Sequence, residues 1–308
     1  MAETEVCHFV NMSGGKDSTA TAAYVRDAGI SASYVFADTG HEHALTLEYL
    51  DYLESVFGPI QRVKADFTRR MAVRRANLQK FWEKDGIPQQ RIDKAKACIH
   101  PTGVPMLDLA ILKGRFPSTR ARFCTQELKV MPIIEQCYMP ALRQQQTVVS
   151  WQGIRADESI SRSNMPRCSI EDPGVICMRP IIQWNAATVF NYLAAHGIRR
   201  NPLYVKGMGR VGCMPCIMAT KVELRAIAQR YPEQFDRLAE WEAMVRDASK
   251  RGVSTFFAAD KTPGTDDTRS SALRVKEWAL TERGGRQLSL IAEMDDVEAC
   301  SSMYGLCE

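Results

Sequence analysis

Two groups of residues in this chain are of types that do chemistry. The first is the run Ser13-Gly14-Gly15-Lys16-Asp17-Ser18. Adjacent glycines let an anion come close to backbone N–H groups at the start of a helix, while two hydroxyls and an ammonium add donors and charge. That set suits phosphate oxygens. It is not the Walker arrangement, which needs four residues between its first glycine and the Gly-Lys pair. A strand-to-helix turn with a serine cap is the plainer reading, and six such residues in this context favour the cradle over it. The second group is the thiols. The chain has 10 cysteines, and Cys213-Met214-Pro215-Cys216 sets two of them at the C-x-x-C spacing used for zinc, iron–sulfur clusters and dithiol redox chemistry.

The elements that must position these groups follow from the hydrophobic pattern. "EVCHFVNM" reads as a buried strand, Asp17 to Asp27 as a helix closed by Gly29, and "SASYVFAD" as a second strand. A helix ending at Gly58 and a third strand, "PIQRVKAD", come next. Alternation of this kind predicts an α/β fold: a parallel sheet with helices on both faces. Helices are expected near Thr68–Glu83 and Thr125–Leu142, then a strand in "TVVSWQGI" and a loop. "RPIIQWNAATVFNYLAAHGI" reads as strand, Asn cap and helix. Past Thr220 the pattern is helical with a break at Pro232, then a polar connector and one more helix in "SALRVKEWALTE". The expected organisation is a nucleotide-binding domain over 1–220 and a helical C-terminal region over 221–308 with a cysteine-bearing tail.

Bulk properties narrow the classes. The 308 residues are 45% hydrophobic and 25% charged, the balance of a globular protein with a sizeable core. A net charge of +4 is too small to argue for nucleic-acid binding by itself. No apolar run approaches the roughly 20 residues of a membrane span, and "MAETEVCHF" lacks the layout of a signal peptide. A cytoplasmic protein is therefore expected, and there a disulfide framework explains cysteines poorly. Cys7 and Cys137 read as packing residues.

Several of these stretches resemble one family. Ser13–Ser18 is similar to the PP-loop of the N-type ATP pyrophosphatases, which have the adenine-nucleotide alpha-hydrolase fold. "VFADTG", Val35 to Gly40, resembles the second-strand signature of the phosphoadenylylsulfate (PAPS) reductase family within that fold. "GIRADESISR", Gly153 to Arg162, resembles its Gly-x-Arg loop, and "RPIIQWNAATVFNYLAAHGIRRNPLY" its Pro-x-x-x-Trp segment, helix and Asn-Pro-Leu-Tyr turn. The resemblance implies that Ser13, Gly14, Gly15, Lys16, Asp17 and Ser18 hold phosphates. It sets Asp38, Thr39 and Gly40 beside the nucleotide or its magnesium ion, and Gly153, Arg155 and Arg162 around anionic oxygens, a task that suits the guanidinium fork.

The cysteines extend the comparison and complicate it. "RARFCTQELKVMP", around Cys124, is similar to the Arg-x-Cys-Cys-x-x-x-Lys-x-x-Pro stretch of cluster-bearing sulfonucleotide reductases and to the Cys-Thr-x-x-Leu-Lys form in proteins of DNA sulfur modification. The former implies a [4Fe–4S] cluster on Cys124, Cys213 and Cys216. Thr125 replaces the second cysteine of the pair, so the fourth iron is either open or bound by Cys98, Cys168, Cys177, Cys300 or Cys307. Zinc on Cys213, Cys216, Cys300 and Cys307 competes, as do plain thiols. The family's reductases also use a C-terminal cysteine nucleophile, for which Cys300 and Cys307 are the candidates.

Three activities remain open on this reading. The complete Gly-Gly-Lys-Asp core favours an enzyme that grips a leaving pyrophosphate, with Lys16, Asp17 and Arg155 in the catalytic set. ATP and Mg2+ would be used to adenylate a substrate, in support of sulfur transfer from a sulfur donor. The basic, aromatic-interleaved stretch Arg69 to Gly86 suits a nucleic-acid acceptor, while a solvated amphipathic helix is the commoner use of such a pattern. The alternatives are a PAPS or adenylylsulfate reductase served by a thioredoxin-like reductant, and a nucleotide-binding component without turnover.

Overall fold

The computed structural model describes residues 5–257 and 271–282. Its centre is a six-stranded sheet in the order β3-β2-β1-β4-β6-β5. The strands are β1 (Val6–Met12), β2 (Ser33–Ala37), β3 (Ile60–Val63), β4 (Thr147–Trp151), β5 (Cys168–Glu171) and β6 (Val175–Met178). All pairings are parallel except that of β5 with β6. Parallel neighbours need crossovers, and α1 (Lys16–Asp27) and α2 (Ala44–Phe57) supply the first two. The chain leaves β1 toward β2 on one side and returns as β4 on the other. That makes the carboxyl end of β1 the topological switch point, where open α/β sheets bind ligands. The run Ser13–Ser18 begins directly after β1.

Both faces of the sheet are covered, because successive side chains of β1 point to opposite sides. Val10 and Met12 pack with Leu50 and Leu53 of α2 and with Val189 and Leu193 of the later helix Ala186–Ala195. Phe9 packs on the other side with Ile133 and Tyr138. Those two belong to a helical run over 123–143 that contains π turns at Gln126–Val130 and Ile134–Tyr138.

A further core joins α3 (Thr68–Lys84), α4 (Gln89–Cys98) and α5 (Pro105–Lys113) to Leu238, Trp241 and Val245 of the helix Glu233–Asp247. The basic stretch is α3, which packs through Met71, Leu78 and Trp82 and leaves most of its other residues exposed. Trp82 is buried, and Arg74 donates to the carbonyls of Ile111 at 2.9 Å and Ala248 at 3.2 Å. Arg70 is paired with Glu127, while Phe81 stays exposed.

Two expectations need correction. The strand expected at "RPII" is a turn. Ile181 and Ile182 are buried, but they sit in consecutive backbone turns, Ile182 N to Arg179 O and Trp184 N to Ile181 O. The strand lies just before, as β6, and the segment expected to be a loop holds the β5–β6 hairpin. Its turn is Asp172-Pro173-Gly174, with Gly174 at φ 101°, a conformation that glycine adopts without strain. The Asn cap is as expected, Asn185 accepting from Thr188 N at 2.8 Å. Helices Lys221–Arg230, Glu233–Asp247 and Ser271–Leu280 follow, the first two separated at Pro232. No helix among the described residues is long and apolar enough to cross a membrane.

Candidate functional site

The loop after β1 is held by its own hydroxyls. Ser13 N donates to Ser18 Oγ at 3.1 Å, Gly15 N to Ser13 Oγ at 3.2 Å, and Thr19 Oγ1 to Gly15 O at 2.7 Å. Two longer contacts fix it from outside: Asn201 Nδ2 donates to Gly14 O at 3.0 Å, and Lys16 N donates to the Tyr204 hydroxyl at 3.1 Å. Both partners come from the Asn-Pro-Leu-Tyr turn. Gly14 has φ 75°, and a Cβ there would lie 2.7 Å from Thr46 Cγ2. Gly153 is needed for another reason: a Cβ on it would come within 2.6 Å of the Asp17 carbonyl carbon and the Ser18 nitrogen. The Gly153–Arg162 loop thus lies directly against the start of α1.

The charges of the loop are arranged around Asp17, which is fully buried. Lys16 Nζ pairs with one carboxylate oxygen at 2.9 Å and Arg155 Nε with the other at 2.8 Å. Arg155 also pairs with Asp157, and its backbone N–H donates to Glu158 at 3.0 Å. Arg162, buried as well, pairs with Glu158. Burial pulls the Arg155 pKa down, but Asp17, Glu158 and Asp157 outweigh it, and the net shift is upward. Asp38 accepts from Gly40 N at 2.8 Å and pairs with Lys64 at 2.8 Å. Thr39 Oγ1 donates to Glu42 at 2.7 Å.

Cys124, Cys213 and Cys216 are brought together. They line one cavity of about 40 Å³, with Ser13 of the first loop, Thr39 of the second, Thr125 and the basic residues Arg122, Lys129 and Arg210. Cys98 packs against the helical core, Cys168 and Cys177 lie on the hairpin, and none of the three lines this cavity. Cys300 and Cys307 lie outside the described residues.

The C-x-x-C loop is tied to the end of β2 by a bridge between Glu42 and Cys213 and by Met214 N donating to His41 O at 2.8 Å. Cys213 Sγ lies 3.6 Å from Thr39 Oγ1, and Met218 N donates to Cys216 Sγ at 3.5 Å. Burial raises the Cys213 pKa strongly, against the pull of Lys129, and it raises that of Glu42 as well. His41 is pushed down to about 3, chiefly by burial and next by Arg237.

The donor set suits a soft metal centre. A single zinc ion draws tetrahedral sulfurs to within about 4 Å of one another. Among the described residues no three His, Cys, Asp or Glu side chains converge in that way. Cys124, Cys213 and Cys216 nevertheless line one cavity, and thiolates are the donors that zinc and iron–sulfur clusters take.

His41, Glu42, Lys129, Tyr204, Asn201 and Arg237 were not singled out by the sequence reading. Tyr204 and Asn201 lie in the Asn-Pro-Leu-Tyr turn and Lys129 in the stretch around Cys124. Arg237 carries no local signal.

Comparison with known proteins gives the following. Residues 7–219 match the family model described as "Phosphoadenosine phosphosulfate reductase domain". A relative in Escherichia phage 186, an "Uncharacterized 37.8 kDa protein in gpa 5'region", is 46% identical over 98% of this chain and 96% of its own length. An uncharacterized protein of Methanocaldococcus jannaschii is 23% identical over 74% of this chain, which spans 45% of that protein. A phosphoadenosine 5'-phosphosulfate reductase of Cronobacter sakazakii is 38% identical over 72 residues, 23% of this chain and 29% of the reductase. Among solved structures, the PAPS reductase of Candida auris in its phosphate complex covers 67% of this chain and 80% of its own, at 14% identity and a TM-score of 0.37.

Proposed function

The chain belongs to the phosphoadenosine phosphosulfate reductase family, with a fold of the adenine-nucleotide alpha-hydrolase type, and from that premise we propose that it is an ATP-cleaving enzyme of sulfur transfer. An oxygen of the acceptor attacks the α-phosphorus of ATP, pyrophosphate leaves, and a sulfur nucleophile then displaces AMP. The observation that carries this reading is the cavity shared by Ser13 and Thr39 on the nucleotide side and Cys124, Cys213 and Cys216 on the other. A sulfur carried by those thiols would lie next to the phosphates.

The chain's own residues divide the work. The N-terminus of α1, where the Ser13–Ser18 loop ends, would take the phosphates, with Gly15 N and Lys16 N held by Ser13 Oγ and the Tyr204 hydroxyl. Lys16 supplies charge where it develops on the leaving pyrophosphate. Asp17 orients Lys16 and Arg155 through its two ion pairs. Gly153 lets the Gly153–Arg162 loop close on the Ser13–Ser18 loop. Asp38, which is partly exposed, would hold magnesium, supplying positive charge beside the phosphates, since both oxygens of the buried Asp17 are taken by Lys16 and Arg155. Cys124, Cys213 and Cys216 would hold an iron–sulfur cluster, which would supply a site for sulfur chemistry when bound.

The second reading, reduction of a sulfonucleotide to sulfite, is favoured by the 38% identity to a named reductase over 72 residues. Iron, zinc and acid-labile sulfide are to be measured on anaerobically purified protein, and sulfite release from PAPS with thioredoxin alongside. Iron with sulfide and no sulfite release is the expected result. Sulfite release that is lost in Cys300→Ser/Cys307→Ser would give the chain to the reductase reading.

A further inference from the structure

The C-x-x-C loop is gripped from a part of the chain that lies beyond the family domain. The family match ends at residue 219. Helix Glu233–Asp247 follows it and carries Arg237. The Arg237 guanidinium donates to His41 Nδ1 at 3.1 Å and to the Met214 carbonyl, inside the C-x-x-C, at 3.3 Å. His41 Nδ1 is therefore the acceptor, which leaves the proton on Nε2, and Nε2 lies 2.8 Å from the carbonyl of Pro215. The His41 backbone carbonyl in turn accepts from Met214 N at 2.8 Å. Both residues between the cysteines are thus held by the same His–Arg pair. The pair itself has little freedom. His41 is fully buried, with ring centroids 5.1 Å from Trp241 and 5.6 Å from Phe256, and Arg237 lies over Trp241 at 5.1 Å. Trp241 and Phe256 also lie beyond residue 219.

We infer that Arg237, acting through His41, is a positioning residue that fixes the Cys213–Cys216 loop against the nucleotide loops, so that the C-terminal helices complete the cysteine site. The inference rests on the proposed role of these cysteines. It makes the segment after the family domain part of the site's outer shell. Partners of this kind set the orientation of ligating groups, and their loss typically costs metal affinity about 10- to 100-fold.

The test uses the full chain with Arg237→Met, which keeps side-chain bulk over Trp241 and removes the donors. His41→Gln, which keeps one donor and one acceptor, is the conservative variant. Three quantities are read: alkylation of Cys213 and Cys216 by iodoacetamide in metal-free protein, resolved by peptide mass; Zn2+ affinity against a chromophoric chelator; and ATP affinity. In Arg237→Met, alkylation is expected to be about tenfold faster and zinc binding about 10- to 100-fold weaker, with ATP affinity unchanged. His41→Gln should lie between this variant and the unmodified chain. Unchanged alkylation and zinc affinity in Arg237→Met would overturn the inference. So would a loss of ATP binding in step with them, which marks general destabilisation. If the unmodified chain binds no zinc or iron at these thiols, the reading of the cysteine site fails, while the alkylation rates still report whether Arg237 holds the loop.

Discussion

Gly153→Ala probes the contact on which the proposed nucleotide site depends. Gly153 has no positive φ to protect, so alanine changes the volume alone. Its Cβ would lie 2.6 Å from Asp17 C and Ser18 N and 2.8 Å from Asp17 O, all of them backbone atoms that no rotamer change can clear. Ordinary contact begins at 3.4 Å, so the first turn of α1 and the Gly153 loop must separate by about 0.8 Å. Overpacking of this kind costs about 1–3 kcal/mol. The displacement falls on the peptide between Asp17 and Ser18, next to the amides proposed to face phosphate, and a shift near 1 Å in a catalytic array costs on the order of 100-fold in rate. The expected outcome is a lower urea midpoint, pyrophosphate and ATP binding weakened at least about tenfold by calorimetry, and turnover reduced further. Unchanged nucleotide affinity in a folded Gly153→Ala protein would refute the claim that this loop and α1 form one phosphate site.

Further outcomes follow from the same geometry. Asp17→Asn removes the charge that two buried cations share and should destabilise the chain by about 3–5 kcal/mol in urea unfolding; a loss under 1 kcal/mol would show that the cluster is solvated. Burial holds His41 neutral down to about pH 3. The unfolded chain then binds more protons between there and the ordinary value near 6.5, so stability falls as pH drops through that window. The ring nitrogen shifts of His41 by NMR should remain those of the neutral tautomer at pH 5, and titration above 6 would contradict this. The Arg70 hydrogen bond, helped by Lys113, outweighs burial and holds Glu127 below the ordinary carboxylate value of 4.5. Its stabilisation is present above that value and is lost as pH falls below it, so Glu127→Gln should flatten the acid limb of the stability curve; an unaltered limb would remove the pair from the account.

Much of this site can be read locally. Ser13–Ser18 is held by hydrogen bonds within the one turn, so its residue types reveal that turn. Asn185 and the break at Pro232 are likewise local signals with local causes. The misread pieces depend on competition. Ile181 and Ile182 are apolar enough for a strand, but Val175–Met178, which follows the Asp-Pro-Gly turn, takes the place beside β4. α4 and α5 carry little signal until Trp241 and Val245 arrive from more than a hundred residues away to cover them. Arg237 is the extreme case, since its 196-residue separation from His41 leaves no trace in either neighbourhood.

The central claim is that the complete Ser13–Ser18 loop grips ATP and releases its pyrophosphate beside the cysteine cavity. Binding of ATP and of PAPS to the same anaerobic preparation, with inorganic pyrophosphate as competitor, tests it most directly. The account predicts that ATP binds more tightly than PAPS, that pyrophosphate displaces it, and that Lys16→Met abolishes both effects. Tight PAPS binding with no measurable affinity for ATP or pyrophosphate would contradict it.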